Sequence, residues 1–242
     1  MQWLPPQEAI EGLNRQVQSF ARNVTFVGPS RVRLGPVVQR SDSTRPHVGI
    51  EGEWTVDRLG ADAQLTARVN DIFKELDIGY QVLVEPVADP DLASWWKLEL
   101  RDDKTNTAVA LDQVGYGVSQ LLPLITEVAS QSHPLVLFEQ PELHVHPRLQ
   151  ASFGSVLAKA SQGDKASQFI VETHSENLLL RLRRLIRSGQ LAPRAVSVVY
   201  VDKTVEGSRI VPIRLDINGN FQDAWPGGFF EEGFDEIFGG NL

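Results

Sequence analysis

Two short polar clusters stand out in this chain of 242 residues, because each follows directly on an apolar run of strand length. The first, Glu139-Gln140-Pro141-Glu142-Leu143-His144-Val145-His146-Pro147, follows Leu135-Val136-Leu137-Phe138. The second, Glu172-Thr173-His174-Ser175-Glu176, follows Gln168-Phe169-Ile170-Val171. In an open α/β sheet, ligands bind beyond the carboxyl ends of the strands. A buried strand that delivers a carboxylate to its end can hold Mg²⁺, a hard cation that takes oxygen ligands, and Glu139 is the candidate. Two uses of Glu139 stay open here: a metal ligand, or a strand cap paired with an arginine. His174 is similarly ambiguous, since a lone histidine at a strand end is more often a hydrogen-bonded structural residue. His144 and His146 permit another chemistry. On an extended segment both imidazoles can approach one metal, with Glu139, Glu142 and His174 completing a metal-dependent hydrolase or nuclease centre.

The surrounding sequence supplies elements to hold these clusters. Val24-Thr25-Phe26-Val27 is β-branched and aromatic and stops at Gly28-Pro29-Ser30, as a buried strand ending in a turn does. Leu65, Val69, Ile72, Phe73 and Leu76 give residues 61–76 a helical spacing. Residues 80–84 and 95–100 are strand-like, separated by the turn-rich Ala88-Asp89-Pro90-Asp91. From Val118, apolar residues at Leu121, Leu122, Ile125 and Val128 predict an amphipathic helix of about three turns, with Pro123 tolerable only in its first turn. Residues 134–138 form a continuous apolar run, typical of a strand covered on both faces. Pro147 suits a first helical turn, and Leu149, Phe153, Val156, Leu157 and Ala160 trace one face behind it. After the strand at 168–171, a helix over about 177–188 puts Leu178, Leu182, Leu185 and Ile186 on one side and Arg181, Arg183, Arg184 and Arg187 largely on the other. Residues 196–201 and 210–215 are two strands joined by a turn around Val205-Glu206-Gly207. Strands alternating with helices predict an α/β fold with a mainly parallel sheet covered on both faces.

Composition narrows the function classes. With 42% hydrophobic and 22% charged residues the chain has a globular make-up, and its length suits one large or two small domains. Zero cysteines exclude a disulfide framework, a thiol nucleophile and thiolate-held zinc or iron-sulfur sites. No apolar run reaches the roughly 18 to 20 residues of a membrane span. Met1-Gln2-Trp3-Leu4-Pro5-Pro6 lacks the basic start and apolar stretch of a leader, so a cytoplasmic protein without a membrane partner is expected. A net charge of −8 argues against nucleic-acid binding through bulk charge. A local patch such as the arginines of residues 181–187 could track a phosphate backbone, although a solvated face is their plainer use.

The run from Leu135 to Pro147 resembles the Walker B strand and loop of ABC-type ATPases of the SMC, RecF and overcoming-lysogenization-defect kind. There, four apolar residues lead to two acids, a Pro and then Glu-Leu-His-Leu-His-Pro. Val171-Glu172-Thr173-His174-Ser175 resembles their switch strand. Val114-Gly115-Tyr116-Gly117-Val118-Ser119-Gln120-Leu121-Leu122-Pro123 lies where they carry a signature motif at a helix start, and the three segments come in the family's order. Trp225-Pro226-Gly227-Gly228-Phe229-Phe230 further resembles the end of a bacterial subgroup of AAA family ATPases whose Trp-Pro-x-Gly-Phe-Phe stretch has no known function. The resemblance is strong over residues 111–232. It implies a partial P-loop NTPase fold, ABC ATPase-like, with a layered sheet and flanking helices. Its parts would be a strand-rich amino-terminal part at 1–110, the signature, Walker B and switch region at 111–194, and strands with an aromatic-acidic tail at 195–242. ATP and Mg²⁺ are the implied cofactors. Glu139 would hold Mg²⁺ and His174 would contact the γ-phosphate. Gly115, Gly117 and Ser119 would contact nucleotide held by an opposite subunit, the glycines through backbone N–H groups at the helix start, and His146 would lie near a dimer interface.

The chain also departs from that pattern. Gln140 stands where the family has the Glu that polarises the attacking water. An amide can orient water but cannot serve as its base, so hydrolysis would be slow or fall to Glu142. Gly115-Tyr116-Gly117 replaces Ser-x-Gly, and a glycine-rich turn that merely lets the helix approach closely is its plainer use. No Gly-x-x-x-x-Gly-Lys-Ser/Thr phosphate loop occurs in the sequence, and Gly28-Pro29-Ser30-Arg31 is not one. The expectation is the carboxyl-terminal part of a split or truncated ATPase, or a chain whose loop another polypeptide supplies, acting as a homodimer or with a partner subunit that carries the loop, with little ATP hydrolysis alone. A role in DNA repair or phage defence, with a DNA or nuclease partner, follows from the resemblance only. A non-catalytic module derived from an ATPase is the remaining alternative. Phe229, Phe230, Phe234 and Phe238 form either an aromatic clamp or a docking strip. Of Trp95 and Trp96 at most one is expected to be exposed, since strand neighbours point to opposite faces.

Overall fold

In the computed structural model, which describes residues 7–41, 45–89, 91 and 94–226, the elements run α1 (Gln7–Arg22), β1 (Val24–Val27), β2 (Val37–Gln39), α2 (Thr55–Ala61), α3 (Ala63–Glu75), β3 (Tyr80–Pro86), β4 (Trp95–Asp102), β5 (Ala108–Ala110), α4 (Tyr116–Ser130), β6 (Leu135–Glu139), α5 (Pro147–Ala160), β7 (Gln168–Glu172), α6 (Glu176–Arg187), β8 (Val198–Thr204) and β9 (Gly207–Ile213). They form two compact units, Met1–His174 and Ser175–Leu242. The aromatic tail from Gly227 onward, the loop residues 42–44 and Pro90 lie outside the described residues.

Both polar clusters sit at the ends of one small parallel sheet in the first unit, with strand order β1-β6-β7. Phe26, Leu137 and Ile170 share one row of the register, and Val27, Phe138 and Val171 share the next. The second row faces the helices: Phe138 stacks on Phe169 at 6.1 Å and meets Phe153 of α5 at 5.8 Å. The first row is open, with Phe26 37% and Ile170 57% exposed. The sheet is therefore α/β, parallel and flanked by helices as expected, but it has three strands and is covered on one face only among the described residues. Four of the five strands within residues 1–110 belong instead to a separate antiparallel sheet, β2-β4-β3 with β5 on β4.

Helix α4 is the core element between these layers. Its residues 119–129 are all buried, as befits a helix apolar nearly all round. The expectation that Pro123 must lie in the first turn is corrected, because it sits in the interior of a helix that begins at Tyr116. Tertiary packing overrides the local penalty: the proline ring lies so close to Gly52 that a Cβ there would come within 2.7 Å of it. On the other layer, Asn70 of α3 clamps β3 by donating to the Val82 carbonyl at 3.0 Å and accepting from its N–H at 2.7 Å. Trp96 is 6% exposed and lies under the Arg40 guanidinium at 4.4 Å, so it offers no stacking platform.

In the second unit, Ser175 caps α6 by accepting from the Leu178 N–H at 3.1 Å. β8 and β9 pair antiparallel around the expected turn. Arg183 and Arg187 of α6 are engaged locally: Arg183 Nε donates to the Gly219 carbonyl at 2.6 Å and Arg187 Nε to that of Asn218 at 3.3 Å. Arg183 also lies over the Phe221 ring at 4.5 Å. No helix among the described residues is long and apolar enough to cross a membrane.

Candidate functional site

The loop after β6 is built by two unusual backbone positions. Gln140 and His144 adopt the left-handed region at φ 44° and 62°, where residues with a Cβ are uncommon. Between them the chain folds tightly, with the Leu143 N–H donating to the Gln140 carbonyl at 3.2 Å and the Val145 N–H to that of Glu142 at 2.9 Å. Val145 is buried and anchors the loop, and Gln150 Nε2 donates to its carbonyl at 2.8 Å. The loop then runs into α5, where His146 Nδ1 accepts from the Arg148 N–H at 3.2 Å as an amino-terminal cap and Pro147 occupies the first turn.

Three other segments meet this loop. The Gln140 N–H donates to the Glu172 carbonyl of β7 at 2.8 Å. Glu142 reaches past that strand's end, with Oε2 accepting from the Thr173 hydroxyl at 2.7 Å and Oε1 from the His174 N–H at 2.6 Å. The start of α4 closes on residues 144–145: a Cβ on Gly117 would lie 2.8 Å from the His144 carbonyl oxygen, and the Tyr116 and His144 rings meet edge-on at 5.0 Å. From the end of β1 comes Arg31, only 4% exposed. Its guanidinium donates to the carbonyls of Gly28 at 3.1 Å, Gln140 at 3.4 Å and Leu143 at 3.4 Å. Burial pushes Arg31 down to about 10, offset in part by Glu142 and then Tyr116, which leaves it protonated at neutral pH.

The expected site residues divide by what they have left to offer. Glu139 ends β6 half-buried, beside Glu172 in register, and its carboxylate has no hydrogen bond or ion pair among the described residues. The Gln140 amide and the exposed His174 imidazole are likewise without partners among them. Gly115 caps α4 in open space, with no side-chain cap. Ser119, by contrast, is 3% exposed and donates to the Tyr116 carbonyl at 2.7 Å, while Gly117 is required by the close approach to His144 whatever else it does. Glu139, Glu142, His144, His146 and His174 do not gather around a point: among the described residues no group of three or more His, Asp or Glu could hold a metal ion. Sequence reasoning passed over Arg31 and Glu172. Glu172 could have been found, since it ends its strand as Glu139 does.

The parallel sheet with its flanking helices is that of an ATPase-like domain of the P-loop NTPase kind. The profile of the family described as "AAA domain, putative AbiEii toxin, Type IV TA system" matches residues 10–181, and the chain belongs to that family. Among solved structures, the head of an SMC protein bound to the C-terminal winged-helix domain of ScpA has the same fold, with a TM-score of 0.50 at 19% identity over 69% of this chain and 48% of that one. This chain thus spans about half the length of that relative. The SMC head with an extended coiled coil from Pyrococcus furiosus gives a TM-score of 0.48 at 19% identity, over 68% of this chain and 38% of that one. The SMC head domain from Thermotoga maritima gives 0.46 at 17% identity, over 67% and 51%. No curated protein matches the chain.

Proposed function

We propose that this chain contributes the signature, Walker B and switch elements of a composite ATP site whose phosphate loop comes from outside these 242 residues. The observation that carries this proposal is the convergence of the α4 start, the loop at 140–146 and the end of β7, with Glu139, Gln140 and His174 left without partners among the described residues. Charge neutralisation and positioning are most of what phosphoryl transfer asks of a protein. The donor set fits Mg²⁺, which takes one or two carboxylates and completes its shell with water and phosphate oxygens; when bound, it would neutralise phosphate charge. Glu139 would hold it. Gln140 would orient a water, His174 would hydrogen-bond the γ-phosphate, and Gly115 would offer backbone N–H groups to a nucleotide across a dimer, with Gly117, Ser119 and His146 shaping that surface. A role in DNA repair or in defence against phage, with a partner subunit carrying the loop, suits such a nucleotide-controlled switch.

The experiment is calorimetric titration of Mg·ATP into the chain, alone and mixed with a chain that carries a phosphate loop. Binding should need both the partner and Mg²⁺ and be lost in Glu139→Ala. Tight binding to the chain alone, unchanged by Glu139→Ala, overturns the composite site. Gln140 favours a second use of the same site, one that binds nucleotide with little turnover. In that case Gln140→Glu raises the hydrolysis rate of the complete assembly.

A further inference from the structure

We infer that Glu142 is the positioning residue that ties the setting of His174 to the loop carrying Gln140. The inference rests on the composite nucleotide site proposed above and assigns Glu142 a role other than that of a base. Its carboxylate spans two segments whose last backbone bond is that of the Gln140 N–H to the Glu172 carbonyl at 2.8 Å, one step past the paired strand ends. One oxygen takes the His174 N–H at 2.6 Å and the other takes the Thr173 hydroxyl at 2.7 Å. Both are short bonds to an ionised acceptor, the stronger class of hydrogen bond. To act as a base toward water, Glu142 would have to share or surrender an oxygen already committed.

The other side of the loop is braced as well. Arg31 holds the carbonyls of Gln140 and Leu143, which lie on either side of Glu142. The loop is thus fixed by a buried cation on the β1 side and delivers a carboxylate to the β7 side. Because Gln140 and Glu142 share this braced loop, any shift of the Gln140 backbone would move the acceptor for the His174 N–H. His174 itself contributes only an exposed, unpartnered imidazole among the described residues, so its placement is set through its main chain. The consequence is a mechanical link between the residue beside the attacking water and the residue facing the γ-phosphate, running within one chain.

The test is amide hydrogen exchange read residue by residue in the intact chain, with wild type, Glu142→Ala and Glu142→Gln. A glutamine keeps an oxygen for the His174 N–H and can donate its amide to the Thr173 oxygen. Glu142→Ala should speed exchange at His174 by about ten- to a hundredfold, the factor that a hydrogen bond to a charged group contributes. Ile170, whose N–H faces β6 in the parallel ladder, should stay slow, and Glu142→Gln should restore most of the protection. Unchanged exchange at His174 in Glu142→Ala overturns the inference, as does equal acceleration along the whole of β7. A second measurement separates this link from the nucleotide site. The His174 imidazole resonances are followed on adding Mg·ATP with the loop-bearing partner. If wild type shows no change there, the nucleotide site fails while exchange still decides the role of Glu142. If wild type and Glu142→Ala respond alike, the positioning role fails.

Discussion

At the carboxyl end of α4, Glu127 is fully buried, and its two oxygens meet the Val48 N–H and His133 Nδ1, each at 3.0 Å, with Arg58 at 3.9 Å. At the amino end of the same helix, Gly115 is a cap without a side chain, and the neighbouring Glu139, Gln140 and His174 side chains have no partner among the described residues. Both ends are rich in charge, yet only one is closed. Burying a carboxylate without compensation costs several kcal/mol, roughly, so a structural acid deep in the core arrives with every lone pair addressed. The acid at the end of β6 is kept half-wet and unmatched, which the fold can tolerate only near solvent. The contrast separates charge that holds the protein together from charge that the fold leaves unpaired among the described residues.

The largest test of that contrast is Glu127→Ala, which strands Arg58, His133 and the Val48 N–H. It should lower stability by about 3–5 kcal/mol in urea unfolding. The same substitution at Glu139 should stay within about 0.5 kcal/mol, and equal costs at the two positions would break the comparison. Next come the two glycines at the open end. Gly117→Ala drives a methyl into the His144 carbonyl and should cost about 1–3 kcal/mol, whereas Gly115→Ala enters open space and should cost about 1 kcal/mol or less, the worth of a helix cap. Paired thermal melts check the difference. The smallest effect is one of pH. Burial holds His47, beside the closed end, below the usual imidazole range, with Glu127 the largest opposing influence, and its Nδ1 accepts from the Gly49 N–H at 3.1 Å. The folded state therefore binds this proton less readily than the unfolded chain. Stability is complete above the ordinary histidine range and declines as pH falls through it toward the lowered folded value. Melting temperature should drop between about pH 7.5 and about pH 5.5, and the drop should shrink in His47→Gln.

The local grammar of the sequence was enough for β6, β7, α5, α6 and the β8–β9 hairpin, because period and punctuation are properties of neighbours. It was also enough to place Glu139 at the end of β6 and His174 just past the end of β7, since the stop of an apolar run is visible in one dimension. Tertiary contacts wrote the rest. The proline inside α4 obeyed Gly52 rather than the helix rule. Arg31 grips carbonyls 109 and 112 residues away, a separation no spacing rule reaches. The bonds from Glu142 to Thr173 and His174 exist only because β6 and β7 pair in one register. Helix α1 was legible and passed over: Ile10, Leu13, Val17 and Phe20 recur at helical spacing, but they are 45% to 65% exposed. Burial therefore does not explain that helix as it explains α3.

The left-handed backbone at Gln140 has a consequence for laboratory evolution. A glycine there would relieve about 1–2 kcal/mol of conformational strain, so a selection for thermal tolerance alone should find Gln140→Gly early and enrich it. A selection that also demands nucleotide-dependent behaviour should reject the same change, because it deletes the amide. Running the two selections side by side turns one strained torsion into a readout of whether position 140 is kept for folding or for work.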